Sequence, residues 1–318
     1  MKQGDNGIGI NRRDFLRRAL LSGGALLALP GLSRTGWAAA GTEVAATPGT
    51  SVDVWVFHGP DRRKLMAKAL ATIDANGGFG RNVKRMAVKV NAAWARTPEV
   101  GANTNPELLD AFLAGARAAG VSELILPENP CARAEEAFTR SGLLAAARNH
   151  QATLYSLPAA KKAYTQQSLP HGKKLQKAMV AKDFLEADAV INIPVAKHHG
   201  GATLSMAMKN WMGAVEDRGF WHRNNLHQCI ADFSGFLKPT WTLVDATRCM
   251  MDSGPQGPAR KLTTPNLLIL SRDQVAADAY AATLFFDSPL KVGYLKLAGE
   301  QGIGIADLAR MKIHAVEV

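Results

Sequence analysis

Ala189-Val190-Ile191-Asn192-Ile193-Pro194-Val195 is a short apolar run that leads into Lys197-His198-His199-Gly200-Gly201-Ala202-Thr203-Leu204-Ser205-Met206-Ala207-Met208-Lys209-Asn210-Trp211-Met212-Gly213. The first segment reads as a buried strand. Two lysines, two histidines, a Gly-Gly pair, two hydroxyls and an asparagine follow it closely. A strand running into a polar, glycine-containing turn and then a helix is where open α/β folds place ligands. The stretch therefore predicts a fold class and a site together, without naming a substrate.

Outward from it, the same alternation recurs. Val52 to Phe57 reads as a first strand, and Asp61 to Ala75 carries Leu65, Met66, Ala69, Leu70 and Ile73 at helical spacing. A strand is predicted over Val83 to Val90. Thr104 or Asn105 caps the next helix, with Pro106 just inside it and Gly120 beyond its end. Ser122 to Leu126 is a strand, Glu135 to Arg148 one helix, and Ala152 to Leu157 another strand. Further strands are predicted at Thr240 to Ala246, ending near Asp245, at Leu267 to Leu270, and at Lys312 to Val316 as a sheet edge. Asp273 caps a helix through Ala277, Tyr280 and Leu284. The expected fold is α/β, a mainly parallel sheet with helices on both faces. Residues 158–182 break the rhythm with Lys161, Lys162, Lys173, Lys174, Lys177, Lys182 and His171. They read as a basic insertion or lid within a single domain spanning 51–318.

The first forty residues read as an address rather than as part of the fold. Asn11-Arg12-Arg13-Asp14-Phe15-Leu16, an uncharged run from Ala19 to Ser33, and Ala38-Ala39-Ala40 resemble a twin-arginine (Tat) export signal. Residues 41–50 form a small polar linker. The apolar run, interrupted by Pro30, is shorter than the ~20 residues of a spanning helix, so no stable membrane anchor is expected. Localisation is then periplasmic or otherwise exported, with the Tat machinery as a partner. That route carries folded proteins, which favours a cofactor loaded before export. The net charge of +11 falls once the six basic and two acidic residues of the leader are removed, leaving a mildly basic chain suited to anions. No basic run of five or more and no aromatic-interleaved basic stripe is present, so nucleic-acid binding is not expected. Cys131, Cys229 and Cys249 are isolated and form no Cys-x-x-Cys pair. A self-contained four-cysteine iron–sulfur cluster cannot be built from them. The cofactor is otherwise undetermined.

Lys197 and Lys209 are cations near glycines, and Gly200-Gly201 lets backbone N–H groups approach a ligand. A helix starting near Thr203 would aim its positive end at the same place. Together these predict a site for a small anionic ligand, a phosphate or carboxylate, oriented by Thr203 and Asn210. His198 and His199 are adjacent, so on a strand they point to opposite faces and do not favour one shared metal. Either could serve as an acid/base or metal-binding group, with His222, His227 or Asp232 as a partner. Trp221 to Gln228 reads as a polar loop over the site, bringing His227 to the ligand. Asp245 at a strand end faces the same crevice, as do Lys89 and Asn91, and Gly254-Pro255-Gln256-Gly257-Pro258 shapes its wall.

Five blocks now resemble the DUF362 domain proteins: Lys89-Val90-Asn91; Asn192-Ile193-Pro194 with Lys197-His198; Leu204 to Gly213 with Lys209-Asn210-Trp211-Met212-Gly213; Leu243-Val244-Asp245-Ala246 with Gly254-Pro255; and Asp273-Gln274-Val275-Ala276-Ala277-Asp278-Ala279. They run from about residue 83 to 305, and their order and spacing carry the match. The resemblance implies an α/β domain, often seen beside ferredoxin-type cluster segments, from which this chain departs by its cysteines. In residue types alone the pattern is distantly similar to nickel-cofactor lactate racemases, and no residue role is carried over from them. The leading expectation is an exported enzyme with Lys197 and Lys209 neutralising the anion and His198, His199 and Asp245 in catalysis. A second is a non-catalytic periplasmic accessory to a redox or maturation system, and a third a redox protein that borrows a cluster from a periplasmic redox partner.

Overall fold

Strand and helix alternate through the first part of the chain: β1 (Val52–His58), α1 (Arg62–Ala75), β2 (Arg85–Val90), α2 (Pro106–Ala118), β3 (Glu123–Glu128), α3 (Ala134–Arg140), α4 (Leu143–Asn149) and β4 (Thr153–Ser156). The computed structural model describes residues 51–160 and 162–318; the predicted leader over 1–40, the linker over 41–50 and Lys161 lie outside the described residues. The cap residues act as their chemistry dictates. Asp61 accepts from the N–H groups of Arg63 and Lys64, and Asn105 from that of Glu107, with Pro106 in the first turn. One helix was expected over 135–148, and two are found. Gly142 sits between them at φ 76°, a left-handed conformation that a continuing α-helix does not hold.

Residues 158–182 contain an antiparallel hairpin, β5 (Tyr164–Ser168) and β6 (Lys177–Ala181), which forms its own two-stranded sheet. The chain continues through α5 (Lys182–Glu186), β7 (Ala189–Ile193), β8 (Val195–His199), β9 (Thr203–Ser205), α6 (Ala207–Asn210), α7 (Arg218–Arg223), α8 (Leu226–Phe236), β10 (Trp241–Met250), β11 (Leu262–Thr263), β12 (Leu267–Ser271), α9 (Gln274–Ala282), α10 (Gly293–Glu300) and β13 (Met311–Glu317).

Eleven strands form one sheet, ordered β13-β1-β12-β10-β7-β2-β3-β4, with β8, β9 and β11 attached beside that path. The run β10-β7-β2-β3-β4 is parallel throughout. β12 is antiparallel to both its neighbours, and β13 closes the far edge parallel to β1. The fold is thus the expected mainly parallel α/β sheet. Side chains alternate between its faces with period two. On β2, Met86, Val88 and Val90 join the layer under α1 and α2, with Leu65, Phe112 and Leu113; Ala87 joins the opposite layer, with Ile230, Phe233, Val275 and Tyr294. Every residue of β7 is buried, which is why it reads as an unbroken apolar run.

Two expectations around the central run change. The predicted helix start near Thr203 is a strand: β9 pairs antiparallel with β8, Lys197 lying opposite Ser205 and His199 opposite Thr203. Gly200-Gly201 makes the turn of that hairpin, and a Cβ added to Gly200 would meet nothing within 4 Å, so no close approach requires it. The helix begins at Ala207, and its N-terminal donors are already matched. Asp278 of α9 accepts from the N–H of Ala207 at 2.7 Å and of Met208 at 2.9 Å, which leaves that helix end no role in holding an external anion. Likewise, β10 runs on to Met250, so Asp245 lies within the strand rather than at its end.

Candidate functional site

The carboxyl ends of β2, β3 and β7 meet at one edge of the sheet, and α6 packs onto them. In register, Lys89 of β2 lies beside Asn192 of β7. The Lys89 ammonium donates to Glu128 Oε2 at 2.7 Å and to Asn210 Oδ1 at 3.2 Å. Asn210 Nδ2 donates to Asn192 Oδ1 at 2.8 Å and to the Lys89 carbonyl at 3.2 Å, while its Oδ1 also accepts from Asn91 Nδ2. Glu128 accepts in addition from the N–H groups of Ala92 and Asn129. Both ions are almost wholly buried. Burial lowers the Lys89 pKa and Glu128 opposes that shift. A buried pair with its remaining hydrogen bonds filled is stable as a unit, so Lys89, Glu128 and Asn210 brace the edge of the sheet.

The consecutive residues after Asn210 fit the same brace. Trp211 is fully buried and its indole N–H donates to Gln274 Oε1 at 2.7 Å. Gly213 leaves the room the pair needs, for a Cβ there would lie 1.8 Å from Glu128 Oε1 and 2.8 Å from Lys89 Nζ.

Lys197 and Lys209 are placed differently. Lys197 is 1% exposed, and its ammonium donates to Asn91 Oδ1 at 3.2 Å and to the Ala102 carbonyl. Lys209 is 9% exposed, and its ammonium donates to Met212 Sδ at 3.4 Å, a weak acceptor. Among the described residues no carboxylate forms an ion pair with either. Burial, and then the Lys209 charge, pull Lys197 down to about 7. Burial is also the main cause that brings Lys209 down to about 8, with Cys131 opposing and Arg218 adding to the shift. Around these lysines Cys131 and His222, both of which interact electrostatically with Lys209, are exposed. Beside it, Arg218 donates to the carbonyls of Asn129 and Pro130 at 2.7 and 2.8 Å and borders a cavity of about 430 Å³ lined also by Tyr164, Met179 and Glu216.

The two histidines serve opposite sides of β8, as strand alternation requires. Nδ1 of His199 accepts from the N–H groups of Gly201 and Ala202 at 3.0 and 3.1 Å. Nδ1 of His198 accepts from the Gly254 N–H at 3.1 Å. Each neutral ring therefore carries its proton on Nε2, which leaves one N–H donor and no free acceptor nitrogen. Burial first, then Lys209 and Lys197, hold His199 down to about 3, so it stays neutral. Its ring stacks on that of His222 at 6.4 Å between centroids.

The structure thus gathers Lys89, Asn91, Lys197, Lys209 and Asn210 at one edge, with His199 close enough for both free lysines to depress it. Four predicted residues sit elsewhere, His198 among them on the other side of β8. Asp245 accepts from Asn105 N–H at 2.9 Å, from Thr247 N–H at 3.0 Å and from the Thr247 hydroxyl at 2.8 Å, so both of its oxygens hold backbone. Burial raises its pKa. Thr203 is in the β8–β9 hairpin at φ 66°. His227 opens α8 and stacks on Tyr294 of α10 at 6.0 Å, its Nδ1 buried without a partner in the described residues. Glu128, Cys131 and Arg218 escaped sequence reasoning. A carboxylate closing the apolar run Leu124-Ile125-Leu126 was the available signal for Glu128. Among the described residues no three His, Cys, Asp or Glu side chains converge on a metal position. Cys131 lies in the loop after β3, Cys229 on α8 and Cys249 on β10, so the three do not make the four-cysteine set of an iron–sulfur cluster.

Residues 86–283 match the family described as a domain of unknown function, DUF362. A thylakoid-associated protein of Synechocystis sp. is 24% identical over 226 residues, which are 67% of this chain and 68% of that protein. A crystal structure from Thermotoga maritima aligns with a TM-score of 0.43 at 12% identity, covering 76% of this chain and 60% of that one. The lactate racemase apoprotein of Thermoanaerobacterium thermosaccharolyticum aligns with a TM-score of 0.39 at 14% identity, covering 71% and 56%. The chain therefore spans less than two thirds of either structure.

Proposed function

The chain belongs to the DUF362 family, and from that premise we propose that its Lys197–Lys209 crevice binds a small anionic substrate or cofactor, in a protein exported by the twin-arginine route. One observation carries the reading: among the described residues the buried Lys209 ammonium has a thioether as its acceptor, with a second buried lysine close enough to repel it. Two desolvated cations without a counter-ion are costly, and a bound anion would neutralise both. Asn91, anchored to Lys197 and Asn210, orients the ligand, and His199 offers its Nε2–H as a donor. The Arg12-Arg13-Asp14-Phe15-Leu16 block supports export.

A non-catalytic binding role is the second reading. It is favoured by the histidines, whose Nδ1 atoms accept from backbone N–H groups and so are not free to take a proton. In the catalytic reading, Asp245 is a positioning residue that fixes the start of α2.

Calorimetric titration with sulfate and with acetate, on wild type and on Lys197→Met, tests the site. Wild type should bind, and the variant should lose binding while keeping the wild-type circular dichroism spectrum. Equal affinity in the two proteins would remove the central claim. Native mass spectrometry of protein from cells with intact Tat export shows whether a cofactor travels with it.

A further inference from the structure

We infer that Lys209 is an amine nucleophile that condenses with the carbonyl carbon of a small 2-oxo acid to form an imine, while Lys197 holds that acid's carboxylate. The inference rests on the anion-binding reading above and assigns the ligand a class and a reaction.

The geometry separates the buried lysines. Lys89 is tied to Glu128, and Lys197 to Asn91 Oδ1 and the Ala102 carbonyl. Among the described residues Lys209 has only the Met212 sulfur. Oxygen acceptors stabilise an ammonium, whereas a thioether does so weakly. Lys209 is also the more accessible of the crevice pair, 9% exposed against 1% for Lys197. The exposed Cys131 and the half-buried Arg218 lie near enough to act on its charge.

A desolvated lysine beside a second cation is the arrangement that keeps an amine unprotonated and nucleophilic. Burial and Arg218 supply those conditions here, and the lowered Lys209 pKa accords with them. His199 and His222, whose pKa values are lowered by burial and by the lysine charges, add no further positive charge beside Lys209. A 2-oxo acid fits because it offers a carboxylate to Lys197 and a carbonyl carbon to Lys209, two buried lysines near enough for the charge of one to act on the other. An aldehyde without a carboxylate would leave Lys197 uncompensated.

The step balances. Lys209 nitrogen attacks the carbonyl carbon, an N–C bond forms, and a carbinolamine results. The C–O bond then breaks, the two nitrogen hydrogens leave with that oxygen as water, and a C=N bond remains. No oxidant or reductant is consumed.

The test is to incubate the full chain with glyoxylate and sodium cyanoborohydride, which reduces the imine to a stable secondary amine, and to map the adduct by peptide mass spectrometry. In parallel, oxalate, an anion without a reactive carbonyl, is titrated calorimetrically and added as a competitor. An adduct concentrated on Lys209 and lost with oxalate supports the proposal. Oxalate binding with no adduct, or with adducts spread over surface lysines, overturns the imine and leaves the anion site standing. Absence of both oxalate binding and adduct overturns both. Because the mapping is done on wild type, the result does not depend on a variant folding; Lys209→Arg, where it folds, should abolish the adduct.

Discussion

Gly213 stands so close to Glu128 that a methyl group on its Cα would fall 1.8 Å from the carboxylate Oε1. The contact joins the turn after α6 to the end of β3, and through Glu128 it reaches Lys89 on β2. Two sheet strands and the site helix are therefore locked at a point where no side chain has room. Lys209 is carried on α6, part of this lock, and Lys197 on β8 is tied to it through Asn91 and Asn210.

Replacing Gly213 by alanine should consequently act on the ion pair rather than on backbone freedom. The new methyl group must push Glu128 away from Lys89, and separating the partners of a buried pair costs about 3–5 kcal/mol. Urea denaturation should show a loss of that order, with the denaturant slope unchanged. Stability within a few tenths of a kcal/mol of wild type would mean that the turn shifts without disturbing Glu128.

Anion affinity should fall as pH rises. Lys197 is pulled down to about 7 and Lys209 to about 8. Below those values both are ammonium ions and an anion is fully compensated. Above them binding must take up a proton, and affinity drops up to roughly tenfold per pH unit for each proton required. His199 stays neutral across the range because it is held down to about 3. Calorimetry with sulfate, whose own charge is constant, from about pH 6 to about pH 10 checks the slope. A flat profile would place the anion away from these lysines.

Much of the architecture was legible because it is local. Asp61, Asn105 and Asp273 cap the helices their positions announced, and β7 reads as a buried strand because both its faces are covered. Non-local pairing was not legible. Asp278 lies 71 residues from Ala207, yet it decides that the helix end is satisfied internally. Lys89 and Lys209 look alike in sequence, and only the arrival of Glu128 on β3 separates a paired lysine from an uncompensated one. β9 escaped because three residues are too few for periodicity, and the hairpin exists only through its pairing with β8. Gly142, a possible interruption in the sequence, ends a helix because its backbone adopts the left-handed region.

The stability consequence of the uncompensated lysine can be worked out in sign and size. Lys209 has a folded pKa of about 8 against 10.5 for an ordinary lysine. Between those values the unfolded chain binds more protons than the folded one, so stability rises with pH across that window. Below about 8 the fold carries the full burden of the buried charge, roughly 3 kcal/mol at 1.36 kcal/mol per pKa unit. Lys209→Met keeps the length and apolar stem of the side chain and removes the charge. It also relieves Lys197, whose ammonium loses the neighbouring charge that depresses it. In a buffer of low anion content at about pH 6, the variant should therefore be more stable than wild type by up to about 3 kcal/mol. The gain should shrink as pH rises and vanish near about pH 10.5. Urea denaturation at the two pH extremes measures it. A variant no more stable than wild type at the acidic end would show that Lys209 already has a compensating partner, and that the crevice does not await an anion.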